Sequence, residues 1–284
     1  MIPQPFEYAR AKTLKEALAM IADGAKPLAG GMSLTPLMKL RLAAPERVVD
    51  IARVPELHYI REESGEIHIG ATTIHYEVES SPLLRAKCPL LAETASRIGD
   101  IQVRNRGTIG GSAAHADPSA DYPAALLALE ARICVVGVSG EREIPASQFF
   151  VDAFATALEP GEVIREIVVP ATGDDTGWSY QKAAQPASGF AIVGIAVRLR
   201  KESGRVALAR VGVTGVAGKP YRAERVERAL EGSAGSAADV QHAAAEAAEG
   251  VEASSDLHAS ADYRKHLARI YTMRALTTAL SRIA

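Results

Sequence analysis

Two glycine pairs in similar settings constrain this chain more than any other feature of its sequence. Gly30-Gly31 and Gly110-Gly111 each follow a short apolar approach, and a serine follows each pair within two positions. Backbone without side chains lets an anionic ligand approach consecutive N–H groups, and such nests favour phosphate. One glycine pair alone indicates only a turn. Two such loops indicate one diphosphate held from both sides, and therefore a nucleotide cofactor.

The composition excludes several classes of function. A net charge of -2 over 284 residues provides no general surface for nucleic acid or anionic membranes, and 5% aromatic residues disfavour a base-stacking platform. No apolar run approaches the ~20 residues that cross a bilayer, and the first residues show no signal peptide. We therefore expect a cytoplasmic protein that has no membrane span and binds no nucleic acid.

The cysteines and histidines predict no metal site. The two cysteines, Cys88 and Cys134, are far apart, and an iron–sulfur cluster needs about four thiolates. A disulfide is not expected in a reducing compartment, so both are predicted to be small buried residues. The seven histidines show no metal-binding spacing such as H-E-x-x-H. Any redox chemistry here therefore requires an organic cofactor.

The first fifty residues alternate between strand and helix patterns, in a chain long enough for two or three domains. Thr13 and Glu16 form a capping-box pattern that predicts a helix to about Asp23. A strand at residues 26–29 leads into the first glycine pair, and Thr35-Pro36 predicts that a helix begins just after it. The first N–H groups of that helix would face the ligand.

The rest of the chain divides at a polar, glycine-containing bridge, residues 171–177. Before the bridge, strands are predicted at 47–51, 66–70, 133–138 and 162–169, and helices at 74–80 with Thr73 as the cap, 89–98 and 123–129. After the bridge, a strand meander is predicted at 179–182, 191–200 and 206–213, and helices at 223–231, 237–249 and 262–280.

The glycine pairs belong to longer motifs in a fixed order. Residues 29–34 read Ala-Gly-Gly-x-Ser-Leu, and residues 104–111 read Arg-Asn-x-Gly-Thr-Ile-Gly-Gly, with Ala-Asp-Pro at 116–118 and a further Asp at 121. Pro-Gly-Glu at 160–162 precedes an apolar strand, and the last helix contains Tyr-Arg-x-x-Leu at 263–267. Over nearly its whole length the chain thus resembles the FAD-binding medium subunit of the molybdenum hydroxylases, the carbon monoxide dehydrogenase and xanthine dehydrogenase group.

The resemblance implies an α+β chain with FAD as its cofactor. Two α/β subdomains of the PCMH/VAO-type FAD-binding fold, residues 1–54 and 55–172, would hold FAD between them. A C-terminal domain of antiparallel sheet and helices, residues 177–284, would cover the flavin. The cofactor-binding residues implied by the resemblance are Ala29, Gly30, Gly31, Met32, Ser33, Leu34, Thr108, Ile109, Gly110, Gly111, Ser112, His115, Asp117, Asp121, Ile164 and Lys182.

Several of these residues have an alternative structural role that the sequence leaves open. Asp117 can begin an Asx turn before Pro118, and Asp121 can cap the helix that follows. His115 can stabilise its own loop, and Lys182 can be an ordinary surface lysine. The resemblance itself places Ile164 against the isoalloxazine ring and Lys182 on the flavin side of the third domain.

The flanks of the second glycine pair leave two further points open. Arg104 and Arg106 can balance the charge of a diphosphate, or they can form salt bridges. Ser112 stands where many relatives have asparagine, and its hydroxyl keeps a donor and an acceptor with a shorter reach.

In function, the resemblance implies an electron-transfer subunit and not a complete substrate-oxidising enzyme. The family's molybdopterin-binding large subunit oxidises the substrate, and its small subunit carries 2Fe-2S clusters. Electrons would pass from these clusters through FAD to an external acceptor, in a dimer of heterotrimers, with no catalytic acid or base in this chain. Two alternatives stay open: a stand-alone FAD-dependent oxidase or reductase, and a cofactor-free scaffold subunit.

Overall fold

The computed structural model describes residues 1–173 and 175–283, which form three main sheets in succession along the chain. We name the parts that contain them the N-terminal lobe (residues 1–54), the middle lobe (55–172) and the C-terminal lobe (177–283). Asp174 of the predicted bridge and the last residue, Ala284, lie outside the described residues. Helices and strands occur in every lobe, which confirms the α+β class. Among the described helices, none is long and apolar enough to span a bilayer.

The N-terminal lobe is a three-stranded parallel sheet with two helices. Its elements are β1 (Glu7–Arg10), α1 (Leu14–Ala22), β2 (Lys26–Leu28), α2 (Leu34–Lys39) and β3 (Arg47–Asp50). The central strand is β3, in which Val48 pairs with Tyr8 on one side and with Lys26 on the other. The predicted alternation of strand and helix is therefore present, and β2 leads directly into the first glycine pair.

The first helix of this lobe begins where the sequence predicts, although its capping box is incomplete, and the second begins earlier than predicted. Thr13 caps α1 by accepting from the Glu16 N–H at 3.2 Å, but the Glu16 carboxylate reaches the Lys12 N–H instead of completing the box. The prediction that Thr35-Pro36 opens the next helix is wrong, because α2 begins at Leu34. The Thr35 N–H already donates to the Gly31 carbonyl at 3.1 Å, so helical bonding starts inside the glycine loop.

The middle lobe is built on a five-stranded antiparallel sheet in the order β4-β5-β10-β6-β7. Its strands are β4 (Ile60–Glu63), β5 (Glu66–Gly70), β6 (Arg132–Gly137), β7 (Gly140–Pro145) and β10 (Val163–Pro170), with a small hairpin of β8 (Phe150–Asp152) and β9 (Ala155–Thr156). Its helices are α3 (His75–Ser80), α4 (Pro82–Lys87), α5 (Pro89–Ser96), α6 (Ile101–Arg104), α7 (Ile109–His115), α8 (Tyr122–Ala128) and α9 (Ala146–Phe149).

Two sequence expectations are corrected in this lobe. The second glycine pair, expected in a loop, lies in the first turn of α7, because the Thr108 hydroxyl caps that helix. Thr73 does not cap a helix: its hydroxyl donates to the Tyr59 carbonyl at 3.1 Å, and α3 starts only at His75.

The C-terminal lobe contains the predicted meander and the three predicted helices. An antiparallel sheet runs in chain order through β11 (Thr176–Ala184), β12 (Ala191–Glu202), β13 (Arg205–Thr214) and β14 (Tyr221–Arg222). The helices are α10 (Glu224–Leu230), α11 (Ala237–Ala245) and α12 (Ala261–Ser281).

Helix α8 joins the middle and C-terminal lobes into one continuous core. All of its residues are buried. A β-carbon placed on Gly212 of β13 would lie 2.0 Å from the Ala124 carbonyl oxygen, so the strand touches the helix backbone directly. Tyr180 and Ala196 of the C-terminal sheet belong to the apolar cluster of the middle lobe. These two lobes therefore share their interior.

Candidate cofactor site

The structure places the two glycine pairs beside each other. A β-carbon on Gly30 would lie 2.0 Å from the Arg106 carbonyl oxygen and 2.8 Å from the Gly107 Cα atom, so only glycine fits. A β-carbon on Gly111 would lie 4.0 Å from that of Ala29. Segments far apart in the sequence thus pack side by side where the N-terminal and middle lobes meet. We call residues 29–34 the first wall and residues 107–112 the second wall.

The first wall has an open set of backbone donors. In the part of the chain that the structure describes, the N–H groups of residues 30–34 donate to no protein acceptor. Gly31 has a φ of 77°, in the left-handed region that favours glycine. These five consecutive donors are therefore available to an anionic ligand, and we refer to residues 30–34 as the open nest.

The second wall uses its donors within the protein. The Ile109 N–H donates to the Thr73 carbonyl at 3.0 Å, and the Gly110 N–H donates to the Ala71 carbonyl at 2.9 Å. The Gly111 N–H donates to the Thr108 hydroxyl at 3.0 Å. The expectation of two equivalent nests is therefore wrong. This wall offers an exposed backbone at Gly111 and the hydroxyl of the half-buried Ser112.

His75 supports the second wall from beneath, although no sequence motif marked it. The backbone N–H of His75 donates to the Gly107 carbonyl at 2.9 Å. The Nε2 atom of its ring is 2.5 Å from where a β-carbon of Gly107 would lie. Burial, aided by the nearby Arg104 charge, lowers the pKa of His75 to about 4. A neutral imidazole therefore fills the space that the missing side chain of Gly107 leaves.

His115 and Asp117 lie at and just beyond the end of α7. The Asp117 carboxylate accepts from the Ser119 N–H at 2.8 Å, so the Asx turn forms. The His115 ring centroid is 5.1 Å from that of Phe154. Burial lowers the pKa of His115, and the Asp117 charge opposes this shift. Both side chains thus have local structural roles, and their contact with a cofactor stays a prediction.

Asp121 and Lys182 form a buried ion pair. The Lys182 ammonium is 2.8 Å from the Asp121 carboxylate, which also accepts from the Tyr180 hydroxyl at 2.5 Å. The ammonium also donates to the Arg97 carbonyl at 2.9 Å. Burial raises the pKa of Asp121, while Lys182 and Tyr180 lower it. Lys182 is therefore not a surface lysine, and the Asp121 side chain does not cap α8.

The remaining candidates differ in exposure. Arg104 forms a salt bridge with Glu79 at 2.9 Å and donates to the Ile98 carbonyl, so it serves the protein itself. Arg106 is exposed beside the first wall and makes no ion pair within the described residues. Ile164 is only 4% exposed and packs in the middle-lobe core.

Both cysteines are free thiols with little reactivity. Cys88 is fully buried, and burial raises its pKa to about 12. Cys134 is half-buried, and burial together with the Glu143 charge raises its pKa to about 12. Neither thiol is a nucleophile at neutral pH, because the thiolate is the reactive form.

The protein is an α+β scaffold with a run of backbone donors at residues 30–34 that are unpaired among the described residues, and comparisons with known proteins identify its family. Residues 4–172 match the family described as FAD binding domain in molybdopterin dehydrogenase. Residues 178–279 match the CO dehydrogenase flavoprotein C-terminal domain. The chain therefore belongs to the family of FAD-binding medium subunits of the molybdenum hydroxylases.

Individual relatives are similar over their whole length. The chain is 44% identical to the carbon monoxide dehydrogenase medium chain of Hydrogenophaga pseudoflava, covering 100% of both sequences. It is 35% identical to the glyceraldehyde dehydrogenase medium chain of Sulfolobus acidocaldarius, covering 97% of this chain and 98% of the relative. A solved carbon monoxide dehydrogenase from Hydrogenophaga pseudoflava, lacking the Mo-pyranopterin moiety, superposes with a TM-score of 0.97 at 46% identity, covering 100% of both chains.

These findings establish an oxidoreductase subunit whose cofactor is FAD. The residues present fit that cofactor, because five free N–H groups at residues 30–34 suit a diphosphate and Gly30 holds the nest against the second wall. Among the described residues there is no cluster of side chains that could hold a metal ion.

Proposed function

We propose that this chain passes electrons through FAD, from the 2Fe-2S clusters of a small partner subunit to an acceptor outside the complex. The observation that carries the proposal is the open nest at residues 30–34, beside a wall whose own N–H groups are already paired. Bound FAD supplies the redox chemistry, and the chain binds and orients it.

The geometry gives the candidate residues distinct roles in this proposal. Residues 29–34 hold the diphosphate through their N–H groups, and Gly111 leaves room for it on the opposite wall. The hydroxyls of Thr108 and Ser112 bind nearby cofactor oxygens. His115, Asp117, Asp121, Ile164 and Lys182 complete the set around the rest of the cofactor. The three domains remain as proposed from sequence: 1–54, 55–172 and 177–284.

The partners follow from the medium-chain character of the relatives. We infer a molybdopterin-binding large subunit and an iron–sulfur small subunit, assembled with this chain as a dimer of heterotrimers in the cytoplasm. Substrate oxidation then belongs to the large subunit, and this chain needs no acid or base of its own.

The nest is tested by Gly30→Ala. The added methyl group would collide with the Arg106 carbonyl oxygen and separate the two walls, so the FAD content of the purified complex should fall by roughly tenfold or more. Gly218→Ala is the matched control, because a β-carbon there would only meet Asp152 at an ordinary 3.7 Å. Full flavin absorbance in a normally folded Gly30→Ala complex would contradict the assignment.

The electron route is tested with the wild-type chain. Substrate should bleach the flavin absorbance when the large and small subunits are both present, and not when the FAD-loaded chain stands alone. Bleaching of the isolated chain by a small alcohol or hydroxy acid would instead identify a stand-alone oxidase or reductase.

A further inference from the structure

Polar contacts tie the C-terminal lobe firmly to the middle lobe. The Thr214 hydroxyl lies 2.8 Å from the carbonyl oxygens of both Pro118 and Ala120 and can donate its one hydrogen to either. The Gly215 N–H donates to the Pro118 carbonyl at 2.8 Å. The Ala191 N–H donates to the Ser119 carbonyl at 3.1 Å. These bonds hold the ends of β12 and β13 against the segment that follows α7.

The same junction is fixed at both ends of α8. At its start, Asp121 is paired with Lys182 in the interior. Just after its end, the Glu130 carboxylate lies 2.8 Å from Arg198 and 2.8 Å from Arg210, and 3.4 Å from Arg222. Three cations from the C-terminal sheet therefore converge on one carboxylate of the middle lobe.

The N-terminal lobe is attached in a different way. Within residues 1–173 and 175–283, no hydrogen bond or salt bridge joins residues 1–51 to any residue beyond 57. The contact consists of the glycine approach at Gly30 and an apolar cluster that includes Val136 and Val163 of the middle lobe. Leu57 ends the connection, and its carbonyl accepts from the N–H and hydroxyl of Thr72 at 2.8 and 2.9 Å.

We propose that the N-terminal lobe is the gate of the cofactor site, and that FAD is the polar link that closes it. The lobe pivots on residues 52–57 to admit or release the cofactor, while the C-terminal lobe stays locked to the middle lobe. The reason is that the N-terminal lobe contains the open nest and, among the described residues, makes no hydrogen bond to the middle lobe beyond the pivot, where the Leu14 N–H donates to Glu56 at 3.2 Å. The C-terminal lobe cannot move in this way without breaking the bonds described above. This inference rests on the proposed diphosphate site.

Hydrogen–deuterium exchange on the complex, with FAD bound and with FAD removed, tests the gate, because exchange reports local opening. Removal of FAD should speed exchange throughout residues 7–50, including β3, and leave β12 and β13 unchanged, because those two strands contain none of the proposed cofactor-binding residues. Equal acceleration in the C-terminal sheet, or a change confined to the glycine loops, would overturn the gate. No change at residues 29–34 and 108–112 would instead count against the cofactor site itself.

Matched variants test the gate kinetically, through the rate of FAD release measured by flavin fluorescence. Val136→Ala removes apolar contact between the N-terminal and middle lobes and should speed release on the order of tenfold. Val197→Ala deletes the same group inside the C-terminal core, and Glu130→Gln weakens the junction of the other two lobes. Both should stay within about twofold of wild type. Faster release from Glu130→Gln than from Val136→Ala would make the C-terminal lobe the gate.

Discussion

At the scale of single residues, His75 shows how a buried titratable group can support the backbone of a neighbouring loop. Its side chain lies in the interior against the Gly107 backbone, 4% exposed, and stacks edge-on at 5.3 Å from Tyr122. A charged imidazole is disfavoured there because burial removes its hydration. Protonation of His75 would therefore destabilise the packing beneath the second wall.

The free energy of unfolding should consequently depend on His75 between pH 6.5 and 4. Over this range the unfolded chain binds a proton at this site and the folded chain does not, so stability falls as the pH falls. The shift from 6.5 to about 4 corresponds to about 3 kcal/mol. In His75→Gln this part of the pH dependence should disappear, as measured by urea denaturation at several pH values.

The exposed His242 provides the control for that measurement. His242→Gln should keep the wild-type pH dependence, whereas His75→Gln should lose part of it. Identical curves for His75→Gln and wild type would show that the buried imidazole is not responsible.

At the scale of elements, a feature can be predicted from the sequence when the residues that stabilise it lie close together along the chain. The Asx turn at Asp117 and the cap at Thr13 use neighbours two or three residues away, and both form. The partner of Asp121 is Lys182, 61 residues away, and no local pattern reveals it. The glycines in the sequence indicate where the nest lies. They do not reveal that only the first wall has unpaired N–H groups, because this depends on the bonds that α7 donates to the carbonyls of residues 71 and 73.

Short helices were missed for a related reason. Helix α6 has only 4 residues, too few for a clear periodic pattern, whereas α7 has 7 residues, as many as the predicted α8. The glycine pair in α7 opposes helix formation, and tertiary contacts override that preference. The long strands β12 and β13, with 12 and 10 residues, were predicted because their apolar pattern is continuous.

The direct contact between β13 and α8 gives a prediction about an element. Gly212→Ala would place a methyl group 2.0 Å from the Ala124 carbonyl oxygen, where backbone has to move. The loss of stability should be about 3 kcal/mol, typical of overpacking in a dense core. Thermal unfolding should show this loss for Gly212→Ala and little change for Gly218→Ala, and equal unfolding temperatures would contradict the close contact.

At the scale of the whole molecule, the middle lobe is joined to the C-terminal lobe by ion pairs as well as a shared apolar core, whereas its contact with the N-terminal lobe is apolar packing without ion pairs among the described residues. Three arginines meet Glu130 on the C-terminal side, and burial lowers the pKa of one of them, Arg198. Such a cation needs its carboxylate, because an unpaired buried charge is costly. No sequence pattern connects these arginines, since they are brought together only by the register of the C-terminal sheet.

Glu130→Ala should therefore destabilise the chain by about 2 kcal/mol, less than a fully buried pair because the carboxylate is partly exposed. Glu159→Ala is the control, because that carboxylate is 74% exposed and lies 3.9 Å from Arg142. Its effect should stay within about 0.5 kcal/mol. Urea denaturation measures both, and equal effects would show that the three-arginine cluster adds nothing.

The low reactivity of the two thiols has a practical consequence for labelling this protein in solution. Since Cys88 and Cys134 are both protonated at neutral pH, maleimide reagents should react only slowly with the native chain. A cysteine introduced at an exposed position such as Lys15 would become its preferred labelling point. With a fluorophore or spin label attached there and the bound flavin as the second probe, the distribution of distances between the N-terminal lobe and the flavin could be measured directly.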